Sequence, residues 1–255
     1  MRLISLLIIA VVLTLNLSSS LLIKGQNQNT RHTQVRPGET IEEVDVNQFP
    51  IVDYVVEKQR AAIERAKWEN RGKKYNSQHS PRIDEFSTQV FSFIDWERGL
   101  PALPVDRSSA VIIGEVIEAE AHFSSDETKI YSEFTVRIDE VFKNDHLDAL
   151  SPRSTVTVER PGGRVRFPSG KIVIAAVSSQ DLPRVGNRYV LFLTHDFIMG
   201  GSYDDALFIQ TGYELRDGRV FPLDKVPSGH PINSYKGKDR ESFLTDLAAV
   251  LAKAH

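Results

Sequence analysis

Between Ser109 and Leu223 the chain is a succession of short β-branched runs cut by turn residues, and no other feature constrains its fold as strongly. Ala110–His122 opens with Ala-Val-Ile-Ile, apolar on both faces, which predicts a central strand. Ile130–Val141 alternates: Ile130, Ser132, Phe134, Val136 and Ile138 form one face, and Tyr131, Glu133, Thr135, Arg137 and Asp139 the other. That pattern predicts one buried and one wet face. Ser154–Arg160, Arg164–Phe167, Lys171–Val177, Tyr189–Thr194, Ala206–Leu215 and Val220–Leu223 read as further strands, each bounded by Gly, Pro, Asn or Asp. Asp217-Gly218 is a hairpin signal, because both residues tolerate positive φ. The expectation is a mainly β domain over residues 109–224, a small antiparallel barrel or sandwich.

The flanks read differently. Residues 53–72 predict an amphipathic helix, with Val52, Val55, Val56, Gln59, Ile63 and Ala66 on one side, Asp53 at its start and Gly72 as its stop. That apolar side packs on the β-domain or forms a seam with a partner helix. Residues 73–108 predict an irregular packing segment, ending in the stiff stretch Gly99-Leu-Pro-Ala-Leu-Pro-Val105. Residues 237–255 predict a last helix, N-capped by Asp239, with an apolar stripe of Phe243, Leu244, Leu247, Val250 and Leu251.

Ahead of all this, Met1–Ile23 has a basic Arg2 followed by a long apolar run, the pattern of an export signal. Ser18 and Ser20 suit cleavage after Ser20; uncleaved, Leu3–Ile23 is long enough to anchor the chain in a membrane. Residues 24–52 predict a flexible spacer. The rest of the chain is therefore expected outside the cytoplasm, tethered to the membrane or secreted. The chain contains no cysteine. Disulfides, thiolate-bound zinc, a thiol nucleophile and a lipid-anchored cysteine are all excluded, so the core alone must hold the fold.

Net charge is −3, unevenly spread. Within the acidic second half, Arg153–Arg188 carries seven basic residues against two acidic ones. A whole-protein nucleic-acid footprint is absent, and a local anion patch is what remains. The candidate residues are Arg160, Gly162, Gly163, Arg164, Arg166, Lys171 and Arg188. Arg164 and Arg166 alternate with Val165 and Phe167 and so share a face. With the Gly162 and Gly163 amides they are suited to a carboxylate, phosphate or acidic glycan. The competing reading is a solvated basic face answering nearby acids such as Glu159 and Asp181.

No catalytic constellation stands out. The seven histidines lack metal-ligand spacing, no Ser lies in a G-x-S-x-G elbow, and Pro168-Ser-Gly-Lys171 lacks the glycine spacing of a phosphate loop. No metal or cofactor is expected. His195 and Asp196, with Asp204 close behind, are the residues a hydrolytic site would draw on.

Several stretches resemble a group of exported, uncharacterised bacterial proteins: the V-x-x-G-x-V strand within Ala110–Val116, Tyr131–Val136 running into Glu140–Lys143, Arg160–Gly163, Val185–Leu193 and Thr211–Leu215. The order of the pieces also resembles the small barrels of the OB-fold and netrin/tissue-inhibitor type, without the disulfides usual in the latter. The resemblance transfers no site residues. The expectation for function is a non-catalytic binding or assembly module, with a membrane, an anionic ligand or a protein as partner and no specific nucleic acid. The alternatives are a hydrolase built on His195, Asp196 and Asp204, and an OB-type binder of an anionic polymer.

Overall fold

The structure, a computed structural model, describes residues 46–92, 96–145, 149–196 and 206–253. The export segment and most of the spacer lie outside the described residues. Among those described, no helix is long and apolar enough to cross a membrane. The fold is mainly β, with two sheets and three α-helices.

Eight strands carry the predicted domain: β3 (Ala110–Phe123), β4 (Ile130–Asn144), β5 (Thr155–Pro161), β6 (Gly163–Arg166), β7 (Ile172–Val177), β8 (Arg188–Thr194), β9 (Phe208–Arg216) and β10 (Arg219–Pro222). Before them come β1 (Ile51–Asp53) and β2 (Gln89–Ser92), and after them the two-residue β11 (Lys238–Asp239). The larger sheet runs β11-β10-β9-β5-β4-β3-β8, and β8 also pairs with β9. Strands β3, β4, β5, β9 and β8 therefore close into a ring. Every pairing in it is antiparallel except β5 with β9, which is parallel. The smaller sheet runs β1-β6-β7-β2, with both outer pairings parallel.

The ring forms because its strands are apolar on the side that meets inside. Ile112, Val116, Phe134, Val136, Val158, Leu191, Leu193 and Ile209 fill it. The doubly apolar start of β3 is explained by a second core on its other face. There Val111, Ile113, Val190, Phe192, Tyr213 and Val220 are covered by the last helix and by Leu100, Leu103 and Val105. A third core joins the far ends of β3 and β4 (Ala121, Phe123, Ile130) to the smaller sheet through Val52, Val165, Phe167, Val173 and Ala175. Strand β3 is long enough, at Ala110–Phe123, to serve both regions. Register shifts flank Gly114, where an added Cβ would lie 2.5 Å from Val136 Cγ1 and 2.7 Å from the Arg137 carbonyl oxygen.

The helices are α1 (Tyr54–Gln59), α2 (Ala62–Gly72) and α3 (Arg240–Leu251). Asp53 caps α1 by accepting from the Val55 and Val56 amides, and Asp239 caps α3 by accepting from Ser242. The stripe on α3 lies as read, with Phe243, Leu247 and Leu251 buried. The region expected as one helix over 53–72 is broken at Arg60 and Ala61, and it docks the other way round. Val55, Val56 and Ile63 are exposed, Ile63 at 87%. The polar side, bearing Arg60, Trp68 and Arg71, faces the sheet instead, because the strands opposite are lined with carboxylates rather than aliphatic groups. Strand β2, inside the stretch read as irregular, was invisible in a sequence where Phe91 and Ser92 alternate weakly.

If the ring and the α3 layer are one cooperative core, Phe192→Ala, at a side chain with no exposure, costs about 3–5 kcal/mol in chemical denaturation. A loss below about 0.5 kcal/mol would be that of a surface position.

Candidate functional site

The predicted basic run divides into three groups. Arg160 does not join the others: it projects into the ring interior and is completely buried. Its Nη2 lies 2.9 Å from Asp224, and it also donates to the carbonyl oxygens of Asp181 and Gln210. The Gln180 amide, turned so that its oxygen faces the guanidinium, accepts from Nε at 3.1 Å. The Trp96 ring closes one side, its centroid 5.7 Å from Cζ. Asp224 in turn accepts from the Thr211 hydroxyl at 2.8 Å and the Asp181 amide at 3.0 Å. This arginine is a structural cation, and an anion approaching from solvent does not reach it.

Gly162 and Gly163 are also buried, and the Gly162 amide is already donated to the Ile130 carbonyl at 2.9 Å. Their φ values of 116° and 147° carry the chain from the ring into the smaller sheet. A Cβ on Gly163 would meet Ile130 Cγ2 at 2.8 Å. The close approach read from the glycine pair is therefore between strands, not toward a ligand. Arg188 stands apart on β8 and pairs with Asp139 at 2.8 Å.

What remains together is the outer face of the smaller sheet. Arg164 and Arg166 share that face, with Arg166 directly opposite Ile172 in the β6–β7 register, and Lys171 precedes β7 with its carbonyl accepting from the Phe167 amide at 2.9 Å. Arg166 and Lys171 are exposed, and Arg164 is half-buried with its Nε donating to the Phe49 carbonyl at 2.9 Å. Three exposed apolar side chains belong to the same sheet or its approach: Ile172 (42%), Phe91 (47%) and Phe86 (82%). Strand β2, which carries Phe91, pairs only with β7, so this side of the sheet is an open edge among the described residues.

A second polar assembly went unread in the sequence. The face of β4 expected to be wet is covered at one end by residues 54–75. Glu120, Glu133 and Glu159 are directly opposite one another across β3, β4 and β5. Arg71 donates to both oxygens of Glu133 at 2.9 Å, and Arg60 donates to Glu120. Lys74 and the Tyr75 hydroxyl donate to Glu159 at 2.9 and 2.7 Å. Trp68 stacks on His122 with centroids 4.0 Å apart, and Tyr75 on Tyr131 at 4.2 Å. Burial holds the Glu133 carboxyl above the usual carboxylate range against the downward pull of Arg71. The signal in the sequence was the clustering of Arg60, Trp68, Arg71 and Lys74 at helical spacing; their partners on the strands are not near in sequence.

His195, at the end of β8, bonds through Nδ1 with the Ala206 carbonyl oxygen at 2.9 Å, and Asp204 lies outside the described residues. Among the described residues no group of three or more His, Cys, Asp or Glu side chains is arranged to hold a metal ion. No family model, curated protein or solved structure matches this chain.

Burial raises the phenol pKa of several tyrosines: Tyr189 to about 12, and Tyr75, Tyr131 and Tyr213 above their ordinary value. An unfolded phenol releases its proton near pH 10. Above that pH the unfolded state binds fewer protons than the native state, so stability falls as pH rises. Denaturation midpoints should decline from about pH 10 upward, with tyrosinate absorbance from these rings appearing only on unfolding. Early ionisation without loss of fold would place the rings in solvent.

Proposed function

We propose that this chain is an exported binding module whose ring of strands is a small OB-type barrel, and whose contact surface is the outer face of the smaller sheet. The barrel reading rests on strand order: three consecutive antiparallel strands, then a parallel β5–β9 neighbour, with β8 returning between β9 and β3. That is the Greek-key order of five-stranded barrels of this class. The export reading rests on the Met1–Ile23 pattern, and the same run is the proposed membrane tether.

One observation carries the contact surface. Arg166 and Lys171 are exposed beside exposed Ile172 on a sheet whose edge is open. Cations beside apolar groups at an open edge suit an anionic chain in extended form, held by charge at Arg166 and Lys171 and by apolar contact at Ile172 and Phe91. Arg164 supports the surface while also fastening the chain before β1.

Heparin, as an anionic polymer, is the probe. The protein should be retained on it at low salt and released steeply as salt rises, because screening shortens the reach of each charge to about 8 Å at physiological ionic strength. Arg166→Ala with Lys171→Ala should abolish retention with the melting temperature nearly unchanged. Arg153→Ala, outside this face, should have little effect. Parent-like retention by the double variant would remove the surface from the account.

Location is tested separately, with a reporter active only outside the cytoplasm fused after Asn47. A stable but inactive fusion would overturn export.

A further inference from the structure

The carboxylate row under residues 54–75 is unusual in what holds it. Like charges placed directly opposite on adjacent strands destabilise a sheet, and here three carboxylates stand side by side. Glu133 and Glu159 are almost fully buried, at 6% and 4% exposure. Such a row is tolerated only beneath a layer of cations. Arg60, Arg71 and Lys74 supply that layer, all from one short arm.

The arm is a poor occupant in two respects. It leaves buried polar groups unsatisfied: neither ring nitrogen of His122 has a hydrogen-bond partner, nor does the Tyr131 hydroxyl, although both residues have no exposure. The nearest carboxylate oxygens to the His122 nitrogens lie 3.7 and 3.8 Å away, beyond hydrogen-bonding distance. Each such group loses its bonds to water on burial without replacing them. The arm also buries little aliphatic surface, since Val55, Val56 and Ile63 point to solvent. What fixes residues 54–75 is charge plus ring contacts: Tyr54 against Phe123 and Phe167, Trp68 stacked on His122 and Tyr75 on Tyr131. Three cationic groups gather 5.0 to 5.7 Å from the Trp68 ring itself, so the arm presents one compact cationic and aromatic surface.

We propose that the face formed by Glu120, His122, Tyr131, Glu133 and Glu159 is a docking site for a basic, aromatic-bearing peptide segment of a partner protein, occupied in this structure by the chain's own residues 54–75. Charge complementarity selects the partner: three carboxylates require guanidinium or ammonium groups, and the two flat rings accept an aromatic side chain in stacking contact. A partner that also supplies hydrogen bonds to His122 and Tyr131 satisfies groups that the arm leaves bare. This site is on the opposite side of the chemistry from the basic face of the smaller sheet and does not depend on it. The two are mechanically linked, because β1 leads directly into α1 and pairs with β6; release of the arm loosens the edge beside Arg164.

The probe is a labelled synthetic peptide with the sequence of residues 54–75, added to the full chain. Binding is followed by fluorescence anisotropy, and in parallel by the indole signals of Trp68 and Trp96 in isotope-labelled chain. The peptide competes with a tethered copy at an effective concentration in the millimolar range, so binding to the parent is weak and saturable. Arg71→Ala, which removes the two-point contact from the arm alone, should tighten binding by about tenfold or more. A damaged fold does not give that gain. Made in the Arg71→Ala chain, where the arm no longer competes fully, Glu120→Gln with Glu133→Gln should weaken binding by at least about tenfold. A peptide with its basic residues replaced by Glu should not bind. The Trp68 indole signal should shift with occupancy while that of Trp96 stays. Arg166→Ala with Lys171→Ala should leave all of this unchanged, which separates the outcome from that of the heparin surface. Absence of saturable binding, equal affinity in the Arg71→Ala chain, or binding without movement of the Trp68 signal would each overturn the proposal.

Discussion

A guanidinium cut off from solvent must find every partner inside the fold, and Arg160 sets that demand at the centre of this protein. Moving a charged group from water into the interior costs several kcal/mol unless it is paired and hydrogen-bonded. Arg160 meets the condition by drawing together segments far apart in the chain. Asp224 follows β10, Gln180 and Asp181 lie between β7 and β8, the Gln210 carbonyl belongs to β9, and Trp96 precedes the first ring strand. None of these connections is needed to fill the ring, which its aliphatic residues already do. They fix where the loops leave it. With the β7–β8 connection held against Asp224, β8 is brought to the gap between β9 and β3 where the ring closes.

The same physics, with a different outcome, governs the outer face of β3, β4 and β5. There the carboxylates are not satisfied one by one within the ring strands but by an added layer, the arm over residues 54–75. The arm supplies cations and flat rings and almost no aliphatic burial. Its exposed Val55, Val56 and Ile63 mean that the usual driving force for docking a helix is largely missing. The Arg60–Glu120 pair at its margin is open to screening by salt, whereas the Arg160 network, buried throughout, is screened far less. The two polar assemblies therefore differ in permanence: one belongs to the core, the other to a cover.

Much of the β-domain was legible because its signals are local. Alternation over Ile130–Ile138 and the Asp217-Gly218 turn each depend on a few adjacent residues, and Asp217 and Gly218 do adopt positive φ, 52° and 70°. The capping residues Asp53 and Asp239 were readable for the same reason. What failed depended on contacts distant in sequence. Val156 and Val158 face inward, and the period of two puts Arg160 inward with them. Nothing near it in the chain suggested a buried partner, and Asp224 is the residue that makes the position tolerable. The arm failed in the opposite sense. Its aliphatic stripe is real but faces solvent, because the choice of docked face is made by Glu120, Glu133 and Glu159 on strands remote in sequence. The basic surface was legible only at Arg164 and Arg166, where strand alternation alone decides which way a side chain points.

The central claim is that Arg160 is a structural cation, paired with Asp224 and separate from the basic surface. A double-mutant cycle on Arg160→Met and Asp224→Leu, read by urea denaturation, tests it most directly. Either single change strands one charged partner in the interior and should cost about 3–5 kcal/mol. The double variant should recover much of that loss, with a coupling energy of at least about 2 kcal/mol. Single losses that simply add, to within about 0.5 kcal/mol, would mean that the two residues do not hold each other, and that Arg160 is not the residue around which the ring is closed.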